Sequence, residues 1–430
     1  MKSGLSFLIA ARRCEISELE QPMRTSALVN VVGRLVHALQ KERGISNVFL
    51  ASRGQRFAAQ LPLQVAECRQ AEAELRTSFE KLDTDAGHIS NGARLFSRIA
   101  FVLNGLDALP GLRTRVATMV LTPADATAAY VNLISGLLAV VFEAADSATN
   151  PEISRLLVAM FNFMQGKEFA GQERAFGSGT FASGRVDSAL QQQWQHLIHS
   201  EERCVQVFID FSTPSLRELW QTSQNQTALA EQERLRRMAL SFKAGVLDPN
   251  LSQAWFDCCT LRIDTMKAVE DGLADELLQL CNRKIAQGRA ELHDQQMILA
   301  ALSDQTVNAS PAAADRAGTT GATGTTGTAA TAAAPDTPYG PQVGRSILDM
   351  VQDQASRLQS MSDELETVRA SLNERKLVER AKGLLMTHRK LSEDEAYKML
   401  RQTAMNQNRR LTDVAQSVLA MADFLSADAP

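Results

Sequence analysis

Several residue types that mark particular protein classes are scarce in this chain of 430 residues. Aromatic residues make up only 5% of the sequence and there are 12 prolines, which argues against a β-sandwich and favours helices. The longest apolar run, Leu133 to Phe142, is about half the length of a membrane span. The short apolar run Leu5 to Ala11 is followed directly by Arg12 and Arg13, without a signal-cleavage site. These features predict a cytoplasmic protein with no membrane segment.

Residues that bind metals or carry out catalysis form no recognisable constellation in the sequence. The six cysteines contain no CxxC pair, and neither they nor the six histidines have the spacing of zinc ligands. His196 and His199 lie three residues apart but have no acidic or cysteine partner at a suitable distance along the chain. We therefore expect no enzyme activity, no metal site and no cofactor.

A long segment of low complexity divides the chain. Ala, Thr, Gly and Pro supply all but five of residues 309–341, and such a segment buries too little apolar surface to offset its ordering entropy. A chain of this length is also expected to contain more than one domain. The sequence predicts five parts: an N-terminal segment (1–25), a first domain (26–305), a disordered linker (306–342), a coiled-coil helix (343–371) and a C-terminal domain (372–427).

Helical periodicity dominates the region before the linker, from Leu28 to about Leu302. No run of alternating strands and no hairpin signal interrupts it, so we expect an all-α fold, with two stacked four-helix bundles in the first domain. Residues 175–184 are rich in glycine, and we expect them to end a helix and form a loop.

After the linker, apolar residues alternate three and four residues apart over about three heptads. The stripe consists of Val351, Leu358, Met361, Leu365, Val368 and Leu372. It is typical of a coiled coil that pairs two chains or docks on the first domain. A single amphipathic helix packed on its own domain explains the same pattern.

One charged residue interrupts an apolar helix face near the N-terminus. The spacing from Val32 to Leu50 places Arg43 on the same stripe as apolar residues, with Ser46 nearly one turn further along. A guanidinium in a helical core needs a partner, and its planar fork of donors matches a planar oxyanion. The pattern allows an anion site, an internal salt bridge, or an arginine that reaches the edge of the bundle.

Two motifs around this position resemble the NIT domain, an all-helical module that senses nitrate and nitrite. They are Lys-Glu-Arg-Gly-Ile-Ser-Asn at residues 41–47 and Gly-Lys-Glu-Phe-Ala-Gly-Gln-Glu-Arg-Ala-Phe-Gly at residues 166–177. The resemblance covers roughly residues 26–300 and implies a ligand pocket with two arginines from different helices. The first falls on Arg43, with Ser46 beside it.

The second arginine falls in a Leu-Arg-Arg-x-Ala context at residues 235–239. The resemblance favours Arg237 and leaves Arg236 as the alternative. Periodicity does not settle the choice, because Arg236 is about 100° from the apolar face and Arg237 lies nearly opposite it. The charged residues of the second motif, Lys167, Glu168, Glu173 and Arg174, are expected to support helix packing through ion pairs.

The last 60 or so residues resemble the ANTAR domain, the RNA-binding module of bacterial antiterminators. The match rests on Ala-Lys-Gly-Leu-Leu-Met at 381–386, Ser-Glu-Asp-Glu-Ala at 392–396 and Leu-Thr-Asp-Val-Ala at 411–415. Residues 372–425 carry ten Lys/Arg against seven Asp/Glu, which leaves a net −7 on the rest of the chain. We expect RNA contacts from a basic set within this domain: Arg375, Lys376, Lys382, Lys398, Arg401, Arg409 and Arg410.

The order of the two domains implies a nitrate- or nitrite-responsive transcription antiterminator. In this interpretation, ligand binding in the sensor domain releases the C-terminal domain to bind hairpins of a leader mRNA, for genes of nitrate assimilation. A homodimer through the coiled coil is a further expectation. The alternative is a nitrate-sensing protein whose C-terminal helices bind a protein partner instead of RNA.

Overall fold

The structure is a computed structural model, and it describes residues 4–82, 92–146, 149–241, 247–308, 341–389, 391, 393–407 and 409–427. These residues contain α-helices and no strand, which confirms the all-α prediction. Twelve helices lie in this part of the chain: α1 Gly4–Ala51, α2 Gln60–Glu80, α3 Gly92–Ala117, α4 Pro123–Asp146, α5 Pro151–Ser183, α6 Ser188–Phe211, α7 Pro214–Ser223, α8 Gln226–Leu240, α9 Leu251–Asn308, α10 Pro341–Arg389, α11 Glu393–Asn406 and α12 Leu411–Ala427. The predicted linker, apart from its two ends in α9 and α10, falls outside the described residues.

Two apolar cores each join four helices of the sensor region. In the first, Ile45 and Leu50 of α1 pack with Leu61 of α2, Val116 of α3 and Ala126 of α4. The second core joins α5, α6, α8 and α9 and contains three large aromatic side chains: Phe181, Trp194 and Trp255. This arrangement agrees with the expectation of two four-helix bundles.

Helix α5 is the central helix of this region, and its two ends are defined by its sequence. The side chain of Asn150 accepts a hydrogen bond from the backbone N–H of Ile153 at 3.2 Å, with Pro151 at the first helical position. At the other end Gly184 adopts φ +67°, which a glycine C-cap accommodates without strain.

The glycine-rich segment at residues 175–184 is helical up to Ser183, so the prediction of a loop there was wrong. The reason is tertiary packing. A Cβ atom at Gly177 would lie 2.3 Å from Nε1 of Trp255, which itself donates to the carbonyl of Arg174 at 3.1 Å. The glycine therefore makes room for an indole and does not end the helix.

The chain divides into two compact units, and each contains discontinuous segments. One unit combines residues 1–21 with residues 280–362. Within it, Arg12 pairs with Glu15 at 2.5 Å and with Glu291 at 2.7 Å, and Arg357 pairs with the same Glu291 at 3.1 Å. These ion pairs join the first turns of α1 to the end of α9 and the start of α10.

The second unit combines residues 22–279, which hold the two bundle cores, with residues 363–430. Its C-terminal part is a three-helix core formed by the end of α10 with α11 and α12, around buried residues that include Ala381, Ala396, Leu400 and Ala415. The first helix of this core is thus the continuation of the predicted coiled-coil helix.

Two helices of the first bundle are long and apolar enough to cross a membrane by length and composition. They are Ala93–Ala117 within α3 and Pro123–Glu143 within α4. Of the most apolar 18-residue stretch of each, 22% is buried in the protein for the first and 50% for the second. Core helices of soluble proteins pass the same test. Here α4 packs on both α3 and α5.

Candidate functional site

Helices α1 and α5 approach each other closely at two glycines. A Cβ atom at Gly44 would lie 2.7 Å from Nη2 of Arg174, and one at Gly171 would lie 2.5 Å from Nη2 of Arg43. Both distances are shorter than real Cβ contacts allow. Each glycine therefore accommodates an arginine that reaches across from the other helix.

Arg43 is buried, with 1% of its surface exposed, and it is neutralised by a carboxylate of α5. Its two terminal nitrogens donate to the two oxygens of Glu168, with Nη2 and Oε2 3.2 Å apart and the other pair closer. The side-chain amides of Gln40 and Gln172 each donate to the same carboxylate at 2.9 Å. Arg43 thus forms an internal ion pair in this structure.

Arg174 is equally buried, at 2% exposed, but its partners among the described residues are neutral. Nη2 donates to the backbone carbonyl of Gln40 at 2.9 Å, and Nη1 donates to the hydroxyl of Thr260 at 3.0 Å. The guanidinium carbon lies 5.1 Å from the ring centroid of Phe256. Among the described residues, no carboxylate lies within ion-pair distance of this guanidinium.

The environment of Arg174 disfavours its charged form. Burial, followed by repulsion from Arg43, lowers the pKa of Arg174 from 12.5 to about 10. The group is still protonated at neutral pH. In the part of the chain that the structure describes, a buried cation without an ion-pair partner therefore lies next to a buried ion pair.

The site as a whole has unequal charge and unused donors. Arg43 and Arg174 carry two positive charges, while Glu168 supplies one negative charge. The Nε–H groups of both arginines are buried and have no hydrogen-bond partner among the described residues. This arrangement can accept one further monovalent anion, because such a group would balance the charge and use free donors.

The glutamates that precede the two arginines are held in the same way, each inside its own bundle. Glu42 accepts two bonds from Arg113, at 2.8 and 2.9 Å, and one from the hydroxyl of Tyr130 at 2.8 Å. Glu173 accepts two bonds from Arg236, at 2.7 and 2.5 Å, and one from the indole of Trp194 at 2.7 Å. The sequence pair Glu-Arg therefore occurs twice with matching surroundings, once in α1 and once in α5.

The C-terminal helices carry basic residues with different exposure. Lys398, Arg401, Arg409 and Arg410 are exposed, whereas Lys382 is only 8% exposed. Lys382 and Arg410 line a cleft of about 1430 Å³, whose opposite walls come from α4, α5 and α6. This cleft lies within the second compact unit.

Apolar and aromatic contacts join these helices to the sensor region. The ring of Tyr397 lies 5.1 Å from the ring of His196, and the guanidinium of Arg203 lies 5.5 Å from the Tyr397 centroid. On α10, Val368 is 1% exposed and packs against Val158 of α5. The C-terminal helices are thus docked on α5 and α6 in this structure.

Comparison with known proteins shows which families the chain matches. A family model described as nitrate and nitrite sensing, NIT, matches residues 34–278. The chain belongs to the NIT family. An ANTAR domain model matches residues 366–419.

Two relatives match nearly the whole chain. The first is the nitrate regulatory protein of Klebsiella oxytoca, which is 31% identical over 414 residues, 96% of this chain and 93% of that protein. The second is a solved structure of the NasR transcription antiterminator, 28% identical, with a TM-score of 0.61 over 97% of this chain and 98% of the other. NIT and ANTAR are sensor and RNA-binding regulatory domains and not enzyme families.

The structure places the sequence-predicted NIT residues in different surroundings. Arg237 has a side chain that is 72% exposed, with Nε 3.7 Å from Glu233, so it is not brought together with Arg43. Arg236 faces inward, but Glu173 holds it in the second bundle. Burial lowers the pKa of Arg236, but the neighbouring acidic groups, Glu173 foremost, together raise it by more, so the pKa lies above its ordinary value. Ser46 is buried, and its hydroxyl lies 3.5 Å from that of Tyr130.

The expectation that four charged residues of the second NIT motif form ion pairs differs from the structure at one position. Lys167 pairs with Glu270 at 2.5 Å, while Glu168 and Glu173 pair with arginines as described above. Arg174 forms no such pair within the described residues. Sequence reasoning missed it as a ligand candidate, although the repeated Glu-Arg pair was a signal that could have found it.

Of the predicted ANTAR contacts, the structure places five side chains. Arg375 and Lys376 belong to α10, but their side chains lie outside the described residues. Lys398, Arg401 and Arg409 are accessible to a ligand. Arg410 and Lys382 line the cleft toward the NIT domain. The RNA-binding role of the whole set stays a prediction.

Proposed function

We propose that this protein is a nitrate- or nitrite-responsive transcription antiterminator. Its NIT domain binds the anion, and its ANTAR domain then binds hairpins of a leader mRNA, so that the terminator does not form. The observation that carries this proposal is the pair of buried arginines with a single carboxylate, in a chain that joins a NIT domain to an ANTAR domain. Action on mRNA also places the protein in the cytoplasm, and genes of nitrate assimilation are the expected targets.

The anion site that the geometry favours lies between Arg43 and Arg174. Nitrate and nitrite are planar monovalent oxyanions, which suit the planar donor forks of guanidinium groups. A single negative charge balances the excess positive charge of the site. Both arginines belong to the adjoining helices α1 and α5, so a shared anion would draw these two helices together.

Nitrate-dependent thermal stabilisation tests the site directly. An anion that binds only the folded state raises the melting temperature. We expect nitrate to raise that of the wild type and to have no effect on Arg43→Ala or Arg174→Ala. Arg237→Ala is the matched control on an exposed side chain, and it should respond like the wild type. If only Arg237→Ala loses the nitrate-dependent rise in melting temperature, Arg237 and not Arg174 is the second ligand residue.

The RNA part of the proposal rests on the exposed cations of the ANTAR domain. Lysine and arginine side chains bind phosphates, and the release of counterions makes such binding fall steeply with salt. Bases in a hairpin loop are accessible where those of an A-form stem are not. An electrophoretic mobility shift with hairpin leader RNA, with and without nitrate, tests this step. If the RNA is not bound either with or without nitrate, the result would favour a protein partner for the same helices.

Docking of the ANTAR domain supplies a means of control. In this structure Tyr397 packs on the NIT domain and Lys382 is buried, so part of the basic surface is covered. We infer that this docked form binds RNA weakly and that anion binding weakens the docking. The ligand shifts the equilibrium only if it binds the two forms differently, and an anion shared between α1 and α5 meets that condition.

A substitution on the NIT side of the docking surface separates masking from RNA contact. Arg203→Ala removes the cation that lies on the ring of Tyr397 but leaves every ANTAR residue unchanged. We expect this variant to bind leader RNA without nitrate. If it still requires nitrate as the wild type does, docking through this contact does not control RNA binding.

Pairing of two chains through the predicted coiled coil is proposed as the way two ANTAR domains reach one leader. Leu358 is 44% exposed in the single chain, which leaves apolar surface for a second helix. Val351 and Leu372 lie in α10, with side chains outside the described residues. Molecular mass measured by light scattering with and without nitrate tests this pairing.

A further inference from the structure

The carboxylate of Glu168 occupies the two terminal nitrogens of Arg43, while the Nε–H group has no partner among the described residues. Its two oxygens accept from both terminal nitrogens of the guanidinium. A carboxylate is planar and carries one negative charge, as nitrate and nitrite do. The side chain is 2% exposed, and the amides of Gln40 and Gln172 complete its hydrogen bonds.

We propose that Glu168 is an internal competitor of the ligand, which nitrate or nitrite displaces from Arg43. This inference rests on the proposed anion site between Arg43 and Arg174. The guanidinium has two pairs of parallel donors, Nη1 with Nη2 and Nε with Nη2, and Glu168 holds the first pair. Because both pairs use Nη2, a second planar anion on Arg43 would share that nitrogen with the carboxylate and be repelled by its charge. Glu168 therefore sets the anion concentration at which the sensor responds.

The partners of Glu168 permit such an exchange. Among the described residues three side chains donate to Glu168, and of these only Arg43 carries a positive charge. Gln172 lies on the same helix face as Glu168, four residues further along α5. When an anion binds Arg43, the carboxylate of Glu168 still accepts the hydrogen bond from the amide of Gln172. The anion then also binds Arg174, a second guanidinium that Glu168 does not contact.

The position of Glu168 also connects the exchange to the ANTAR domain. Glu168 and Gln172 line the wall of the cleft whose other side includes Lys382 and Tyr397. Movement of this carboxylate away from Arg43 changes the wall on which the ANTAR helices dock. Competition in the site and release of the docked domain are in this way two consequences of one displacement.

Two substitutions in the full-length protein separate displacement from a simple change of charge. Glu168→Gln removes the negative charge and keeps the shape of the side chain. Glu168→Asp keeps the charge but withdraws the carboxylate by one methylene. Glu270→Gln is the control, because Glu270 is an equally buried carboxylate that pairs with Lys167 and not with Arg43.

Titration calorimetry with sodium nitrate measures the result. We expect Glu168→Gln to lower the dissociation constant about tenfold, since a hydrogen-bonded ionic competitor is lost. Glu168→Asp should also bind more tightly than the wild type, and Glu270→Gln should stay close to it. Thermal unfolding of each variant without nitrate reports whether it is folded.

Distinct outcomes overturn the inference and the proposed site. If both Glu168 variants bind nitrate no more tightly than the wild type, Glu168 does not compete. If only Glu168→Gln binds more tightly, the effect is charge at a distance and displacement is excluded. If Arg43→Ala binds nitrate as the wild type does, the anion site itself is misplaced, whatever the Glu168 variants show.

Discussion

Replacing Arg174 by methionine should stabilise the ligand-free protein, although it removes two hydrogen bonds from the core. The pKa of Arg174 is lowered from 12.5 to about 10 by burial and by Arg43. At pH 7 the side chain is charged both folded and unfolded, so the full cost of its burial opposes folding. A shift of this size corresponds to about 3 kcal/mol.

The lost hydrogen bonds offset part of this gain. Arg174 donates to the carbonyl of Gln40 and to Thr260, and each bond contributes about 1 kcal/mol net. The expected result for Arg174→Met is therefore a gain of about 1 kcal/mol in the free energy of unfolding, together with loss of the response to nitrate.

The same substitution at Arg43 should have the opposite effect on stability. Arg43→Met leaves Glu168 buried without its cation, and breaking a buried ion pair in this way costs about 3–5 kcal/mol. Nitrate should stabilise neither variant. The two changes thus agree in ligand binding and differ in the sign of their effect on folding.

Urea unfolding followed by circular dichroism, without nitrate at pH 7, measures both free energies. Thermal unfolding over a nitrate series measures the ligand response. If Arg174→Met destabilises the protein as much as Arg43→Met does, Arg174 has a counter-ion in solution, and the charge imbalance that supports the anion site is refuted.

Three further outcomes are expected. Replacing Lys382, Arg409 and Arg410 together by Glu should abolish leader binding in a mobility shift, because phosphate contacts are reversed in sign, and nitrate binding should be retained; unchanged RNA binding would count against this face. A fragment of residues 343–430 should bind leader RNA without nitrate, because the docked NIT domain is absent; a folded but inactive fragment would exclude masking. Gly177→Ala should lower the free energy of unfolding, measured by urea titration, by about 1–3 kcal/mol, because the new Cβ would lie 2.3 Å from the indole nitrogen of Trp255 in α9. An unchanged free energy of unfolding would show that this contact relaxes freely.

Local sequence information was sufficient for the fold class and for singling out Arg43, the first residue of the proposed anion site. Periods of three and four residues mark long helices wherever one face is buried, and the same periodicity identified Arg43 as a charge on an apolar stripe. Motif resemblance identified the two families. These inferences succeed because each depends on residues that are close together in the chain.

Choosing the second arginine of the proposed site required knowledge of the packing between distant segments. Arg236 and Arg237 differ by one helical step of about 100°, and only the fold shows that Arg236 meets Glu173 while Arg237 faces solvent. The role of Arg174 depends on which carboxylates approach it in space. In the sequence it looks like its neighbours, which do form ion pairs.

The sequence by itself determined an all-helical sensor, its two motifs and a basic C-terminal domain. The tertiary structure alone decided how charge is balanced between α1 and α5, and that Gly177 lies within a helix. It also decided that Lys382 is covered in the docked form. The physical reason is that charge balance, close approach and burial are sums over neighbours brought together by folding, and residues such as Glu168 and Arg43 lie 125 positions apart in the chain.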